Sequence, residues 1–190
     1  MSSSRAVVSF AVPFMLAACG APDAKTPAST AASSSSASAA TSTTASVQDF
    51  TTRDLDGKTV RLSDHLGKKV ILIDFWATYC KPCLAAFPHI RRIHTANSAK
   101  GFVVLAIAMD GPDTMGEVPA FAKRNNLDFP VLYDEDSRIA SILNPKKSEP
   151  LVILIDKSGK VVRVREGYNP GDEKLIEADV TRLVAGQAVE

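Results

Sequence analysis

Three almost continuous apolar runs stand out in the chain after residue 46. They lie at 70–76, 102–109 and 149–156. An apolar run without polar alternation is typical of a strand buried on both faces, and the first run therefore predicts a parallel neighbour. We expect these three runs to form the centre of a sheet.

Helical periodicity follows the first run. Apolar residues recur at three- and four-residue steps from Leu84 through Phe87 to Ile93, which predicts a helix over 80–96. Pro88 lies inside that segment and is expected to kink it.

Shorter elements fill the rest of the pattern. Alternation around Asp56-Gly57 predicts an N-terminal hairpin with a two-residue turn. The final helix is predicted to have Asn169 as its cap, Pro170 at its first position and Asp172 in its first turn. Further helices are expected at about 115–126 and 139–143, and further strands at 131–133 and 161–165. Strands alternating with helices and ending in a hairpin predict an α/β sandwich with a mixed central sheet.

The first 46 residues differ from this pattern. One positive charge precedes a short apolar run, which fits a signal peptide over 1–18 better than a membrane-spanning helix. The small residues before Cys19 resemble the bacterial lipobox, which implies that Cys19 becomes a lipidated N-terminus. Residues 19–46 are rich in Ala, Ser and Thr and predict a disordered tether. The folded domain is thus expected over 47–190.

Charge and cysteine content narrow the function classes. A net charge of +1 on 190 residues gives no electrostatic reason to expect nucleic acid as a partner. The three cysteines divide into Cys19 and the pair Cys80 and Cys83, so the chain has no framework of structural disulfides.

The C-x-x-C pair is suited to electron exchange at a helix start. Unpaired backbone N–H groups and the helix dipole stabilise a thiolate at Cys80, and Lys81 adds a positive charge beside it. Cys83, one turn deeper, would then resolve the mixed disulfide. Pro82 favours a tight helix start, because its missing N–H is harmless there.

A structural zinc site is the alternative that this pair raises. Such a site commonly needs four ligands, and the sequence has neither a second C-x-x-C nor a histidine pair at metal spacing. His65, His89 and His94 are accordingly expected at the surface or at its boundary. We predict no metal and no cofactor.

The stretch DFWATYCKPCLAAFP, from Asp74 to Pro88, resembles the active site of the thioredoxin fold. The N-terminal hairpin and the β-α element inserted between 102 and 143 resemble the TlpA/ResA-like branch of the redoxin (AhpC/TSA) superfamily. The resemblance implies a thioredoxin-like α/β/α sandwich and a thiol-disulfide oxidoreductase. It also implies that Pro150, at the start of the third apolar run, is a cis-proline facing the cysteines.

The resemblance further implies a buried acid beneath the pair. Asp74 sits inside an apolar strand, so we expect burial to raise its pKa and make it the proton acceptor for Cys83. Many members of this branch carry a glutamate three residues after the second cysteine, where this chain has Ala86. The hypothesis is that Asp74 acts alone.

Three further residues are predicted to flank the site. Glu149 precedes the cis-proline, where relatives usually carry a neutral residue, and it would oppose the Cys80 thiolate, pair with Lys81 or select cationic partners. Trp76 and Tyr79 would supply aromatic packing or a contact surface, with core packing preferred for Trp76.

These features together predict a lipid-anchored oxidoreductase facing the periplasm. It would exchange electrons with thiols and disulfides of exported proteins, and a membrane thiol reductant would recharge it. A role in cytochrome c maturation is implied by the resemblance alone. The alternatives are a thiol-dependent peroxidase and a copper metallochaperone of the same fold.

Overall fold

The computed structural model describes residues 47–189. The predicted signal peptide (1–18), the tether (19–46) and Cys19 lie outside the described residues. None of the helices in the described part is long and apolar enough to cross a membrane.

A five-stranded mixed sheet forms the centre of the domain, in the order β5-β4-β3-β6-β7. β3 is parallel to β4, β4 is parallel to β5, and β6 runs antiparallel to both β3 and β7. Every residue of β3, β4 and β6 is buried, as the apolar runs predict. The strands are β3 (Val70–Trp76), β4 (Phe102–Ala108), β5 (Val131–Tyr133), β6 (Leu151–Ile155) and β7 (Val161–Glu166).

Helices cover both faces of this sheet. They are α1 (Lys81–Asn97), α2 (Val118–Arg124), α3 (Arg138–Leu143) and α4 (Asp172–Val184). One face of β3 packs in a single apolar cluster with α1, α2 and α4, and the opposite face packs with α3 and the segment around Leu62. The predicted α/β/α sandwich is confirmed.

The N-terminal hairpin has a longer loop than predicted. β1 (Thr51–Arg53) and β2 (Thr59–Arg61) pair antiparallel across five intervening residues, not across a two-residue turn. The Asp54 carboxylate accepts hydrogen bonds from the backbone N–H groups of Asp56 and Lys58, and this wider turn is stabilised by those bonds.

Two helix starts also differ from the predictions. A 3₁₀ turn over Met115–Glu117 precedes α2, so the predicted helix is in two parts. α4 begins at Asp172, and the predictions of Asn169 as cap and Pro170 as first helical residue are wrong. Gly171 takes φ +110°, a left-handed conformation that separates both residues from the helix.

Candidate active site

The two cysteines lie where the carboxyl end of β3 leads into α1. Cys80 is the N-cap residue of α1, and its Sγ accepts the backbone N–H of Cys83 at 3.3 Å. The pair forms a disulfide with a Cα–Cα distance of 5.3 Å. Pro82 occupies the first turn, as predicted. An N-cap sulfur faces unpaired N–H groups and the positive end of the helix dipole, which favour its thiolate once the disulfide is reduced.

The two sulfurs differ in exposure. Cys80 is 7% exposed and Cys83 is 1% exposed, so Cys80 is the residue of the pair that another molecule can reach more easily. This difference fits attack by Cys80 and resolution by Cys83. Lys81 is exposed beside Cys80, and it makes no ion pair within residues 47–189.

Asp74 occupies the middle of β3, on the same sheet face as Leu72 and Trp76. That face belongs to the apolar cluster that contains both cysteines. Asp74 is 1% exposed, and its Oδ1 finds no hydrogen-bond partner among the described residues. Burial raises the pKa of this carboxyl to about 7. Asp74 is therefore suited to take and return a proton near neutral pH.

Pro150 directly precedes β6, the strand that pairs with β3. The Glu149–Pro150 peptide bond is cis. The following residue, Leu151, pairs with Phe75 of β3, and this register places Pro150 beside the end of β3, where the chain turns towards Cys80.

Glu149 contacts the cysteine segment through a tyrosine. The Tyr79 hydroxyl donates to Glu149 Oε1 at 3.4 Å, whereas no ion pair between Lys81 and Glu149 occurs in the described part of the chain. Burial raises the pKa of Glu149, the Tyr79 hydrogen bond opposes that rise, and the charge of Asp110 adds to it.

The two aromatic residues have different environments. Tyr79 is 59% exposed next to Cys80 and can contact another molecule. Trp76 is fully buried, with its ring centroid 4.7 Å from that of Phe87 and 5.0 Å from that of Phe121. Trp76 is thus core packing, as preferred from the sequence, and the alternative of a contact surface at this residue is wrong.

Sequence reasoning missed two buried polar residues that contact the segments leading to Cys80 and Pro150, namely Asp110 and Asn144. Asp110 follows β4, is 3% exposed, and accepts hydrogen bonds from the Thr78 backbone N–H at 3.0 Å and from the Thr78 hydroxyl. Asn144 follows α3 and is 2% exposed. Its side-chain amide accepts a hydrogen bond from the Ser148 N–H and donates one to the Ser148 carbonyl.

A signal for Asp110 was present in the sequence. It is the first acidic residue after a buried strand parallel to the one that leads to Cys80. The carboxyl ends of neighbouring parallel strands meet at one edge of a sheet, so its proximity to the cysteines could have been inferred. We find no comparable signal for Asn144.

His94 contacts none of the cysteine-site residues described above. His94 is packed near the surface, with its Nδ1 3.3 Å from Asp128 Oδ1, and lies between Phe102 and Phe129. Within residues 47–189, no group of three or more His, Cys, Asp or Glu side chains is arranged to hold a metal ion.

Solved structures share this fold. A Chlorobium tepidum protein described as a candidate thiol:disulfide interchange protein DsbE is 31% identical, with a TM-score of 0.67 over 73% of this chain and 95% of that one. A secreted disulfide oxidoreductase from Mycobacterium tuberculosis is 23% identical, with a TM-score of 0.59 over 70% of this chain and 94% of that one. The second shares the fold alone. The thioredoxin-like fold is confirmed.

Two sequence relatives are named thiol-disulfide oxidoreductase ResA. The thiol-disulfide oxidoreductase ResA of Geobacillus thermodenitrificans is 36% identical over 121 residues, 63% of this chain and 66% of that protein. ResA of one Bacillus cereus strain is 38% identical over 114 residues, 60% of this chain and 64% of that protein. The alignments thus span just under two thirds of these relatives. The AhpC/TSA family model matches residues 43–164, and the chain belongs to that family.

Proposed function

We propose that the protein is a thiol-disulfide oxidoreductase that reduces disulfides of other proteins through Cys80 and Cys83. One observation carries the proposal: the two cysteines form a disulfide at the N-terminus of α1, with Cys80 as the N-cap and as the more exposed residue of the pair. The names of the ResA relatives support the same reaction class.

The reaction proceeds by two thiolate attacks. The Cys80 thiolate attacks one sulfur of the partner's disulfide, which forms a mixed disulfide and releases the partner's other sulfur as a thiolate. Cys83 then transfers its proton to Asp74 and attacks Cys80 Sγ, which releases the second partner thiolate. Asp74 returns the proton to a departing thiolate. Two electrons have passed from the dithiol to the partner, and Cys80–Cys83 is left oxidised.

We further propose that the protein acts outside the cytoplasm, at the membrane. Its substrates would be cysteines of exported proteins, with cytochrome c maturation as one pathway, and a membrane thiol carrier would reduce Cys80–Cys83 again. Outside the cytoplasm such a carrier is required, because that environment is oxidising. Lipidation of Cys19 would anchor the protein at the membrane, facing the periplasm. Mass spectrometry of the protein from membranes tests the anchor: an unmodified Cys19 contradicts it.

The deciding experiment is the reduction potential of Cys80–Cys83, measured in glutathione buffers with thiol trapping. A potential near about −270 mV supports a reductant, whereas one near about −120 mV makes the protein a disulfide donor. A protein with no reversible two-thiol couple contradicts the proposal. A copper titration followed by native mass spectrometry then tests the metallochaperone alternative directly.

A further inference from the structure

Two loops carry the groups that meet a partner. The cysteine loop, residues 77–80, leads from β3 to Cys80, and the Pro150 loop, residues 144–150, leads from α3 to Pro150. Each loop makes only a few backbone hydrogen bonds. The Cys80 N–H donates to the Ala77 carbonyl, and the Pro150 carbonyl accepts the N–H of Gly167. Hydrogen bonds to side chains therefore add to what orients Cys80.

The cysteine loop is held by Asp110. Its carboxylate accepts the backbone N–H of Thr78 and the Thr78 hydroxyl, two residues before Cys80. Both acceptor oxygens are buried with the rest of the side chain, which is 3% exposed. Thr78 is therefore held by two hydrogen bonds to one buried side chain.

The Pro150 loop is held in the same way by Asn144. Its Oδ1 accepts the Ser148 N–H at 2.9 Å, and its Nδ2 donates to the Ser148 carbonyl at 2.8 Å. The same Nδ2 lies 3.4 Å from the sulfur of Met109, the residue directly before Asp110. The segment after β4 thus contacts both loops.

A third contact joins the loops on their exposed side. Tyr79, between Thr78 and Cys80, donates its hydroxyl to Glu149, which directly precedes Pro150. The two loops are therefore linked at the surface through Tyr79 and Glu149, and beneath it through Asp110, Met109 and Asn144.

We propose that Asp110 and Asn144 are positioning residues that hold the cysteine loop and the Pro150 loop in the arrangement that presents Cys80 to a partner's disulfide. The proposal rests on the proposed function. Neither residue touches the reacting sulfurs. Each acts through a loop, so its loss should slow exchange even where the domain stays folded.

The test compares Asp110→Ala with a matched control, Asp134→Ala. Asp134 is also a buried aspartate directly after a strand, and its carboxylate accepts two backbone N–H groups, from Ile139 and Ala140, but bonds neither loop. Full-length reduced protein is mixed with oxidised glutathione, and the exchange rate is measured beside the unfolding midpoint.

Asp110→Ala is expected to slow exchange by about tenfold or more, since misplacing a reacting group by about 1 Å can cost a hundredfold. Asp134→Ala should lose similar stability and keep its rate within about twofold. Asp110→Asn should restore the rate, because the amide can accept the Thr78 N–H and donate to the Thr78 hydroxyl. Asn144→Ala should slow exchange as Asp110→Ala does.

Equal rates for Asp110→Ala and Asp134→Ala at matched stability would overturn the positioning role. If Asp110→Ala does not fold, Thr78→Val decides, since it removes only the hydroxyl bond to Asp110: an unchanged rate overturns the proposal, and a several-fold loss supports it. A wild-type protein that fails to react with glutathione contradicts the proposed function instead, so the two failures are distinguishable.

Discussion

At the scale of single residues, two buried aspartates near the cysteines differ in how they are satisfied. Asp110 accepts hydrogen bonds from Thr78, whereas Asp74 Oδ1 has no partner among the described residues. A buried carboxyl without donors is held in its protonated form by desolvation. Asp74 is therefore the group that can exchange a proton, and Asp110 is the group that can hold a loop.

Asp74 should make the stability of the oxidised protein depend on pH. The unfolded chain ionises this group near its ordinary pKa of 3.8, whereas the folded protein keeps the proton until about pH 7. The loss of stability develops as the pH rises from about 4 to 7 and reaches about 4 kcal/mol. Asp74→Asn should be more stable than the wild type at pH 8 by a similar amount.

Urea unfolding of both proteins at pH 4, 6 and 8 measures this difference. At pH 4 the two should differ little, because Asp74 is then largely protonated in the folded state and partly so in the unfolded state. Parallel pH profiles for the two proteins would show that Asp74 ionises as freely in the folded state as in the unfolded chain.

Asp74→Asn should also slow thiol exchange. Without the carboxylate, Cys83 loses its local proton acceptor, and general-base assistance is worth about 10²- to 10⁴-fold. The rate of release from a Cys80–glutathione mixed disulfide should fall, most strongly above pH 7, where the wild-type carboxylate is ionised. A rate that is unchanged across pH 6–9 would remove Asp74 from the mechanism.

Glu149 should restrain the Cys80 thiolate. Its carboxylate lies at the Pro150 loop and contacts Tyr79, the neighbour of Cys80, so its negative charge opposes a second one nearby. Glu149→Gln should raise the rate at which iodoacetamide alkylates Cys80 at pH 6 by several-fold. Glu177→Gln on α4, which alters an exposed pair with Arg92, is the control and should leave the rate unchanged. A rate equal to that of the control would show that Glu149 does not act on Cys80.

The sequence predicted those site residues that belong to a local motif. Cys80, Cys83 and Asp74 share one short stretch, and the resemblance to the thioredoxin fold implied the position of Pro150 at the start of an apolar run. Asp110 lies outside that motif and could be inferred only from the order of the parallel strands, because its partner Thr78 is 32 residues away. Asn144 has no such signal, and its contact with Met109 spans 35 residues. The hydrophobic and polar pattern of a short segment does not show which residue 30 or more positions away a side chain will contact.

At the scale of elements, the central strands could be predicted from the sequence because they are fully buried. Some helix ends could not, because they depend on the backbone conformation of single residues. β3 and β4 are wholly buried, so their sequences show no polar alternation. α4, in contrast, begins where Gly171 takes a left-handed conformation, although Asn169-Pro170 has the residue types of a helix start. Glycine adopts positive and negative φ with similar ease, so the sequence alone could not predict the positive φ of Gly171.

Gly171→Ala should destabilise the start of α4. A side chain at φ +110° is strained, at a cost of about 1–3 kcal/mol, although no atom obstructs its Cβ. Gly116→Ala is the matched control, since its Cβ also meets nothing within 4 Å and its φ is not positive. Thermal unfolding should show a lower midpoint for Gly171→Ala alone, with unaltered glutathione exchange in both variants. Equal unfolding midpoints for the two variants would show that the backbone at Gly171 is not strained by a side chain.

At the scale of the whole molecule, the described residues 47–189 supply two apolar clusters, and the Ala-, Ser- and Thr-rich composition of 19–46 predicts little further apolar burial. We therefore expect a chain that begins at Val47 to fold with the same unfolding midpoint and the same reduction potential as the full-length protein. Calorimetry and glutathione equilibration of the two chains measure this. A lower midpoint for the shorter chain would show that residues 1–46 contribute to folded stability.

The two edges of the sheet carry different features that disfavour pairing with a further strand. Beside β5, the N-terminal hairpin continues the hydrogen bonding through Asp54 and Leu55. On β7, at the opposite margin, Arg163 and Arg165 both pair with Asp179 of α4. Charged side chains on an edge strand discourage pairing with another chain, the first step of sheet-based aggregation. The protein should accordingly remain dispersed when many copies are crowded together.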